Sequence, residues 1–342
     1  MNLVTGATGI VGSHVVLTLL QNNQPVLAIK QKNSNISKTE KLFSYYTSEY
    51  QQLFKKIKWL ELDLSDSFAI EDALADITTV YHCAGIVSFN KAEKKVMVEV
   101  NETGTRNLVN ACLHKNIQAF CYVSSIATVN NLDHKLALNE EVFWKTSGKE
   151  SDYAFSKYNG EREVWRGIEE GLNAVIVNPG LILSPGFWNQ SSSKLVETCA
   201  QGNRFYTAGT SAYVSASDVA ECMIALVNKK CFGQRYILIE NNYSFLEIFS
   251  LIQNGLGIPK PRLKLSRPML TFLSRLEYLI CLFSGKSPRL GPSIVNAAFN
   301  RQVFSNQKIK TELACEFRST EQVIAEICRH YCLEKDKAEL SY

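Results

Sequence analysis

Tyr153 and Lys157 stand four residues apart in the run Tyr153-Ala154-Phe155-Ser156-Lys157. On a helix this spacing sets a phenol and an ammonium on one face. A free tyrosine ionises near pH ~10 and is a poor acid–base group at neutral pH, and a fixed cation beside it favours the phenolate. Taken alone, the pair also fits an ordinary amphipathic helix. A second group narrows the chemistry: Ser124 and Ser125 follow the apolar run over 120–123 and precede Ile126-Ala127-Thr128-Val129-Asn130-Asn131. Open α/β sheets bind ligands at the carboxyl ends of their strands, so a hydroxyl there can hold a substrate carbonyl or alcohol oxygen beside the phenol.

A third group binds phosphate. Thr5-Gly6-Ala7-Thr8-Gly9-Ile10-Val11-Gly12 follows the first apolar run directly and opens a helical pattern. Gly6 allows a tight turn, Gly9 a close approach of backbone to a pyrophosphate, and Gly12 the packing of helix on sheet. The helix amino end adds free N–H groups and a positive dipole. The spacing is GxxGxxG rather than GxGxxG. The second run ends Ala28-Ile29-Lys30-Gln31-Lys32-Asn33-Ser34, with two lysines and no carboxylate. A carboxylate there would read the ribose hydroxyl of NAD, whereas a cation accommodates the 2′-phosphate of NADP. Lys30 and Lys32 therefore favour NADP(H) over NAD(H); the other reading makes them solvated loop charges. Asp63 is placed to accept from the adenine amino group or to cap the next helix.

These residues need a frame, and the first 180 residues supply an alternating one. Strands are expected at Asn2–Val4, Val26–Ile29, Lys58–Leu62, Val80–Cys83, Phe120–Ser124 and Ala174–Asn178. Helices are expected at Gly12–Gln21, Lys38–Phe54, Phe68–Leu74, Glu93–His114 and Tyr153–Glu170. Nearly continuous apolar strands alternating with helices imply an α/β fold, a Rossmann-type doubly wound parallel sheet. Beyond residue 180 the rhythm changes. Ser184-Pro185-Gly186 and Ser191-Ser192-Ser193 are loop chemistry, and Pro259, Pro261, Pro268, Pro288 and Pro292 punctuate the later chain. Helices are expected near Lys194–Ala200, Asp218–Val227, Phe245–Asn254 and Thr320–Tyr331, with a β run at Arg235–Ile239. The expected organisation is a cofactor domain over 1–180 and a smaller mixed α/β substrate cap over 181–342, with segments such as 210–240 returning to the sheet.

Composition excludes several classes. The 342 residues are 46% hydrophobic and 20% charged, which rules out a disordered chain. A net charge of +4, without a basic block, gives no case for nucleic acid. The 10 cysteines form no CxxC pair, so no metal is expected and buried thiols in a reducing cytoplasm fit best; Cys328-Arg-His-Tyr-Cys332 is the only close cluster. Met1-Asn2-Leu3-Val4 already reads as the first strand, without a basic leader. The most apolar stretch, Met269–Phe283, contains Arg275 and Glu277 and is short of the ~20 residues a spanning helix needs. Met269, Leu270, Leu273, Leu276, Ile280 and Phe283 follow helical spacing, to pack on the cap or to lie at a membrane surface.

Glycine loop, serine pair and Tyr/Lys pair occur in this order on the expected element types, and the chain resembles the extended short-chain dehydrogenase/reductase family, the NAD-dependent epimerase/dehydratase group. The resemblance extends through Tyr81-His82-Cys83-Ala84-Gly85, Asn101-Glu102-Thr103-Gly104-Thr105-Arg106-Asn107-Leu108, Asn178-Pro179-Gly180, Ser184-Pro185-Gly186 and Ser215-Ala216-Ser217-Asp218-Val219-Ala220. It implies Tyr153 as the acid–base residue, Lys157 as the group that lowers its pKa and holds the ribose, and Ser125 as the group that orients the substrate oxygen. It also implies a cofactor set of Gly6, Thr8, Gly9, Ile10, Val11, Lys30, Lys32, Asp63, Leu64, Ala84, Gly85, Ser124, Tyr153, Lys157 and Pro179. Sugar-nucleotide epimerases of this group continue Ser-Ser-x-x-Val-Tyr-Gly and carry Ser-Pro-Tyr before the lysine. Here Val129-Asn130-Asn131 and Ser151-Asp152-Tyr153 stand there. Both departures lean to the dihydroflavonol 4-reductase and 3β-hydroxysteroid dehydrogenase branch, which often has arginine where Gln31 stands.

The expected activity is interconversion of a ketone and a secondary alcohol on a fairly apolar cyclic or aromatic small molecule. A nucleotide-sugar epimerase or dehydratase holding NAD tightly, and a cofactor-sensing protein with little catalysis, are the alternatives. Ser125, Asn178, Phe187, Trp188 and Tyr213 are the candidate substrate contacts, the aromatics alternatively forming the cap's own core. His14 and His82 read as packing or capping residues. Asn101 reads as a helix anchor or part of a water relay to Lys157. The helices at Glu93–His114 and Tyr153–Glu170 pair across dimers in the family, so a homodimer is implied by analogy.

Overall fold

A computed structural model describes residues 1–130, 137–146, 148, 150–188, 193–284 and 290–339. Asn131, Ser191, Ser192, Pro288 and the side chain of Phe283 lie outside what it describes. Six strands form in the expected places: β1 (Asn2–Thr5), β2 (Val26–Lys30), β3 (Lys58–Glu61), β4 (Thr79–His82), β5 (Ala119–Val123) and β6 (Ala174–Pro179). Every residue of β5 and β6 is buried, as strands covered on both faces must be. Later strands are β7 (Leu181–Leu183), β8 (Phe205–Tyr206), β9 (Thr210–Ser215), β10 (Gln234–Leu238), β11 (Asn241–Ser244) and β12 (Leu263–Lys264). The main sheet has seven parallel strands in the order β10-β6-β5-β4-β1-β2-β3. Strand order reverses between β1 and β4, and the crevice at that reversal is where such sheets bind ligands.

Helices α1 (Ile10–Gln21), α2 (Ser37–Tyr46), α3 (Tyr50–Lys55), α4 (Ser67–Ala73), α5 (Lys94–Val98), α6 (Thr105–His114) and α7 (Asp152–Glu169) cover the sheet. One face buries Val15, Val16 and Leu19 of α1 with Leu42 and Phe43 of α2; the other buries Ile70 of α4, Leu108 of α6 and Val164 of α7. Each large aliphatic side chain fully buried contributes ~1.5–3 kcal/mol. Two expected helices are interrupted. The Lys38–Phe54 pattern breaks at Thr47, whose backbone is extended and whose hydroxyl accepts from the Glu49 N–H, the local competition that polar side chains offer a helix. The Glu93–His114 pattern carries a wide turn over Glu99–Gly104 between α5 and α6, and such π-bulges favour functional positions.

The remaining helices are α8 (Lys194–Ala200), α9 (Ala216–Asn228), α10 (Phe245–Gly255), α11 (Arg267–Ser284), α12 (Pro292–Ala297), α13 (Gln307–Leu313) and α14 (Thr320–Glu339), the last running beyond the expected Tyr331. The segment 210–240 divides between two sheets. β10 joins the main sheet beside β6, and α9 packs its Val219 and Met223 into the α1 face. β9 instead lies between β7 and β11 in a separate three-stranded sheet. The cap core joins Leu183, Val196, Tyr213, Ile248, Ile324 and Ile327.

Candidate active site

The glycine loop is shaped by two close approaches. Gly6 has φ +64°, and a Cβ there would lie 2.6 Å from the Ala84 nitrogen; at Gly12 it would lie 2.2 Å from the Gly6 oxygen. No L side chain fits either place without moving backbone. Gly9 is the N-cap of α1 and offers no side-chain cap, and the helix has no acid in its first turn. Its first N–H groups are thus available to an anion. The loop is pinned from beneath. Thr105 Oγ1 donates to the Asn101 carbonyl at 2.8 Å, so it accepts from His82 Nε2 at 3.0 Å. His82 Nδ1 then accepts from Thr5 Oγ1 at 2.7 Å, and Thr5 Oγ1 accepts from the Ala84 N–H at 3.2 Å. Burial first, then the Lys157 charge, holds His82 down to about 3, so the ring stays neutral in this chain of bonds.

The catalytic candidates converge on the same edge. Ser151 caps α7 by accepting from the Ala154 N–H, which places Tyr153 in the first turn. Lys157, one turn on, is buried; its Nζ donates to the Val123 carbonyl at 2.7 Å and lies 4.4 Å from the centroid of the Tyr122 ring. A Cβ on Gly85 would stand 3.6 Å from that Nζ, so the Gly85 backbone runs beside the buried ammonium. Ser125 is half-buried at the end of β5 and begins the turn Ile126–Thr128. Asn101, presented by the wide turn, donates to the Ile86 carbonyl and to Ser156 Oγ, both at 2.9 Å, and accepts from the Ile86 N–H at 2.8 Å.

The electrostatics differ from the sequence expectation at Tyr153. Burial raises its pKa above the ordinary value, and a hydrogen bond with Ser125 acts the other way. Lys157 turns to the Val123 carbonyl, and no lowering by it offsets the burial. Lys157 is itself pushed down to about 8 by burial, against the opposing pull of Glu161. The phenol is therefore held as a proton donor rather than a phenolate.

Glu161 is a buried residue of this cluster that sequence reasoning missed. It is 2% exposed, and its Oε2 accepts from Ser124 Oγ at 2.6 Å, Thr128 Oγ1 at 2.7 Å and Asn178 Nδ2 at 2.9 Å. Its Oε1 accepts from Trp165 Nε1 and from Arg235, each at 3.3 Å. Arg235 goes on to donate to the Glu140 and Val142 carbonyls. One carboxylate thus ties the ends of β5 and β6 to the loop over 137–142. The signal was there: Tyr153, Lys157 and Glu161 repeat at every fourth residue, one helix face.

Several other assignments move. Lys30 pairs with Glu61 across β2 and β3 at 3.1 Å, so the carboxylate missing from the β2 end arrives on the neighbouring strand. Lys32 is exposed. Asp63 accepts from the Ser65 N–H at 2.9 Å while Asp66 caps α4, so Asp63 already serves the loop turn. Ser124 spends its hydroxyl on Glu161. Leu64 is buried with its carbonyl accepting from Asn107 Nδ2, and Pro179 ends β6 opposite Leu238.

Of the substrate candidates, only Ser125 stands beside Tyr153. Asn178 is fully buried and gives its Nδ2 to Ser125 O, Thr128 and Glu161, with its Oδ1 buried and unpartnered. Phe187, in the left-handed region at φ 54°, packs into the α1–α9 face. Trp188 donates to Glu334 at 3.1 Å and meets the Tyr331 ring edge-on. Tyr213 is 0% exposed inside the cap core, against Tyr243. The three aromatics thus pack against other parts of the chain, and the Tyr213 hydroxyl, like Asn178 Oδ1, is buried without a hydrogen-bond partner.

A glycine loop that admits no side chain, an uncapped helix amino end and the Lys157 ammonium beside Gly85 together fit a nicotinamide dinucleotide. Among the described residues, no three His, Cys, Asp or Glu side chains gather as a metal site. A family model described as the NAD dependent epimerase/dehydratase family matches residues 2–238. The sterol demethylase protein B of Methylococcus capsulatus is 27% identical over 281 residues, covering 80% of each chain. A putative dihydroflavonol 4-reductase of Synechocystis sp. is 24% identical over 334 residues, 94% of this chain and 92% of the other. Among solved structures, dTDP-glucose 4,6-dehydratase of Streptomyces venezuelae with NAD bound superposes with TM-score 0.76 at 17% identity, covering 98% of both chains. That last likeness shows the fold.

Proposed function

The chain belongs to the NAD-dependent epimerase/dehydratase family and is an NAD(P)-dependent oxidoreductase of the extended short-chain dehydrogenase/reductase type, and from that premise we propose that it reduces a ketone on a fairly apolar cyclic or aromatic molecule, or runs the reverse oxidation. The observation that carries this reading is the mouth of the site. The Phe89 ring stands edge-on to Tyr153 at 6.3 Å, and Val87 and Phe89 remain 52% and 47% exposed beside it. An exposed apolar pair next to the proton donor favours an apolar substrate over a polyhydroxylated one.

In this reading the nicotinamide supplies the hydride. Ser125 and Tyr153 together hold the carbonyl oxygen, and Tyr153, kept protonated by burial, gives that oxygen its proton. Lys157, charged below about 8, holds the ribose. Ser124, Asn178 and Thr128 do not touch the substrate; through Glu161 they fix where Ser125 stands. The test is consumption of reduced cofactor across a panel of cyclic and aromatic ketones and nucleotide sugars. Turnover with the ketones supports the reading. Turnover of nucleotide sugars alone, with near-stoichiometric NAD released on denaturation, overturns it in favour of an epimerase or dehydratase. The Lys30–Glu61 pair is the feature that favours that second reading.

NADP(H) is the proposed cofactor, with Lys32 as the free cation and Lys30 recruited from a half-exposed ion pair that itself contributes little. Lys32→Ala should weaken NADPH binding about tenfold while leaving NADH unchanged, the worth of roughly one charge-assisted contact. Equal effects on both, measured by titration of cofactor fluorescence, would remove the 2′-phosphate assignment. The ten free thiols suit the reducing cytoplasm proposed for this chain, and α5–α7 offer exposed Val96 and Phe155 to the proposed homodimer.

A further inference from the structure

An apolar feature outside the site is α11. Its residues divide into two faces. Leu270 is buried and Leu273 and Ser274 are half-buried against the protein, Ser274 and Glu277 both bonding Leu290. The other face carries Met269, Phe272, Leu276, Leu279 and Ile280, exposed by 50%, 66%, 44%, 52% and 58%. At 3.6 residues per turn these five fall within about 100° of arc. They form one unbroken stripe rather than scattered surface side chains. The chain leading into the helix adds Leu263, 50% exposed and paired in register with the 44%-exposed Phe205.

Charge decides what covers this stripe. Between Lys260 and Ser284 the cations are Lys260, Arg262, Lys264, Arg267 and Arg275, all exposed, and the only carboxylate is Glu277. Glu277 is held inward by the Leu290 N–H at 2.6 Å. A second copy of the chain, docking this face on itself, would set one basic rim against another. An anionic bilayer surface offers the opposite: hydrocarbon for the stripe and phosphate groups for the rim. No described helix is long and apolar enough to cross a membrane, so the geometry is that of a helix lying in the interface. We infer that α11 docks the protein reversibly on anionic lipid surfaces, with the stripe from Met269 to Ile280 immersed in the headgroup boundary.

The experiment is flotation of the full chain with vesicles of phosphatidylcholine alone and of phosphatidylcholine mixed with phosphatidylglycerol. The wild type floats with the mixed vesicles and is released by high salt. The triple variant Phe272→Ser, Leu276→Ser, Ile280→Ser stays in solution at an unchanged melting temperature. Neutralising Arg262, Lys264 and Arg267 to Gln lowers the partition roughly 100-fold, at about fivefold per cation near a charged surface. This charge variant changes only exposed side chains, so it tests the proposal even if the triple variant folds poorly. Failure of the wild type to float, or flotation unchanged by the charge variant, overturns the proposal. A concentration-dependent dimer broken by the serine variant would also overturn it, assigning the stripe to a second copy.

Discussion

Tyr153→Phe is expected to lower kcat by roughly 10²–10⁴-fold, the usual contribution of a positioned general acid. The substitution removes one oxygen. It keeps the ring that Phe89 meets, and it leaves untouched the Ser151 cap that starts α7 and the Lys157 bond to Val123 O. The dissociation constant for cofactor should therefore change by less than about threefold, since the phenol gives the dinucleotide at most one exposed hydrogen bond. Single-turnover rates and a fluorescence titration separate the two quantities. If turnover survives within tenfold of wild type, proton donation belongs to another group or to water, and the role assigned to Tyr153 falls. If cofactor binding is lost along with turnover, the loss is structural and the assignment is likewise unsupported. The raised pKa of Tyr153 adds a sign. A phenol that stays protonated supports reduction across neutral pH, so the alkaline limb of the rate must come from a different group.

That group is Lys157, and it shows how much of the site was legible beforehand. Residue types and spacing placed Gly6, Gly9 and Gly12 at the first strand-to-helix turn, Ser125 at the end of β5, and Tyr153 with Lys157 on α7. Each depends on local geometry: a turn, a strand end, a four-residue repeat. The six strands were readable for the same reason, since full burial on both faces writes a continuous apolar run. Other readings turn on partners distant in the chain. Lys30 reads as a free cation until β3 brings Glu61 beside it, and Tyr213 reads as a pocket aromatic until β7 and β11 enclose β9. Phe187 and Trp188 are likewise claimed by α9 and α14, elements far along the chain. Long-range partners decide whether a polar or aromatic side chain is satisfied, and no local pattern carries them. The raised pKa of Tyr153 is non-local in the same way, because spacing brings an ammonium near a phenol but says nothing about the Val123 carbonyl that the ammonium bonds.

Glu161 converts this into the second large effect. Five donors from four segments, Ser124, Thr128, Asn178, Trp165 and Arg235, share its carboxylate. Glu161→Ala should destabilise the protein by about 3–5 kcal/mol, because it leaves the largely buried Arg235 guanidinium without its carboxylate and four other donors one acceptor short. Thermal or urea unfolding measures that. Glu161→Gln keeps the shape and removes the charge, and it separates positioning from bulk stability. The Glu161 charge opposes the burial that pushes Lys157 down to about 8. Removing it must lower Lys157 further, since a neutral neighbour no longer favours the ammonium. Lys157 is charged below its pKa and neutral above it, so wild-type kcat should fall as pH rises past about 8, and in Glu161→Gln this limb should move to lower pH. Glu161→Asp, which retains the charge, should return the limb towards its wild-type position even if stability is only partly restored. A merely structural carboxylate would change the melting temperature of all three variants and leave the limb where it was, and that result would confine Glu161 to the scaffold.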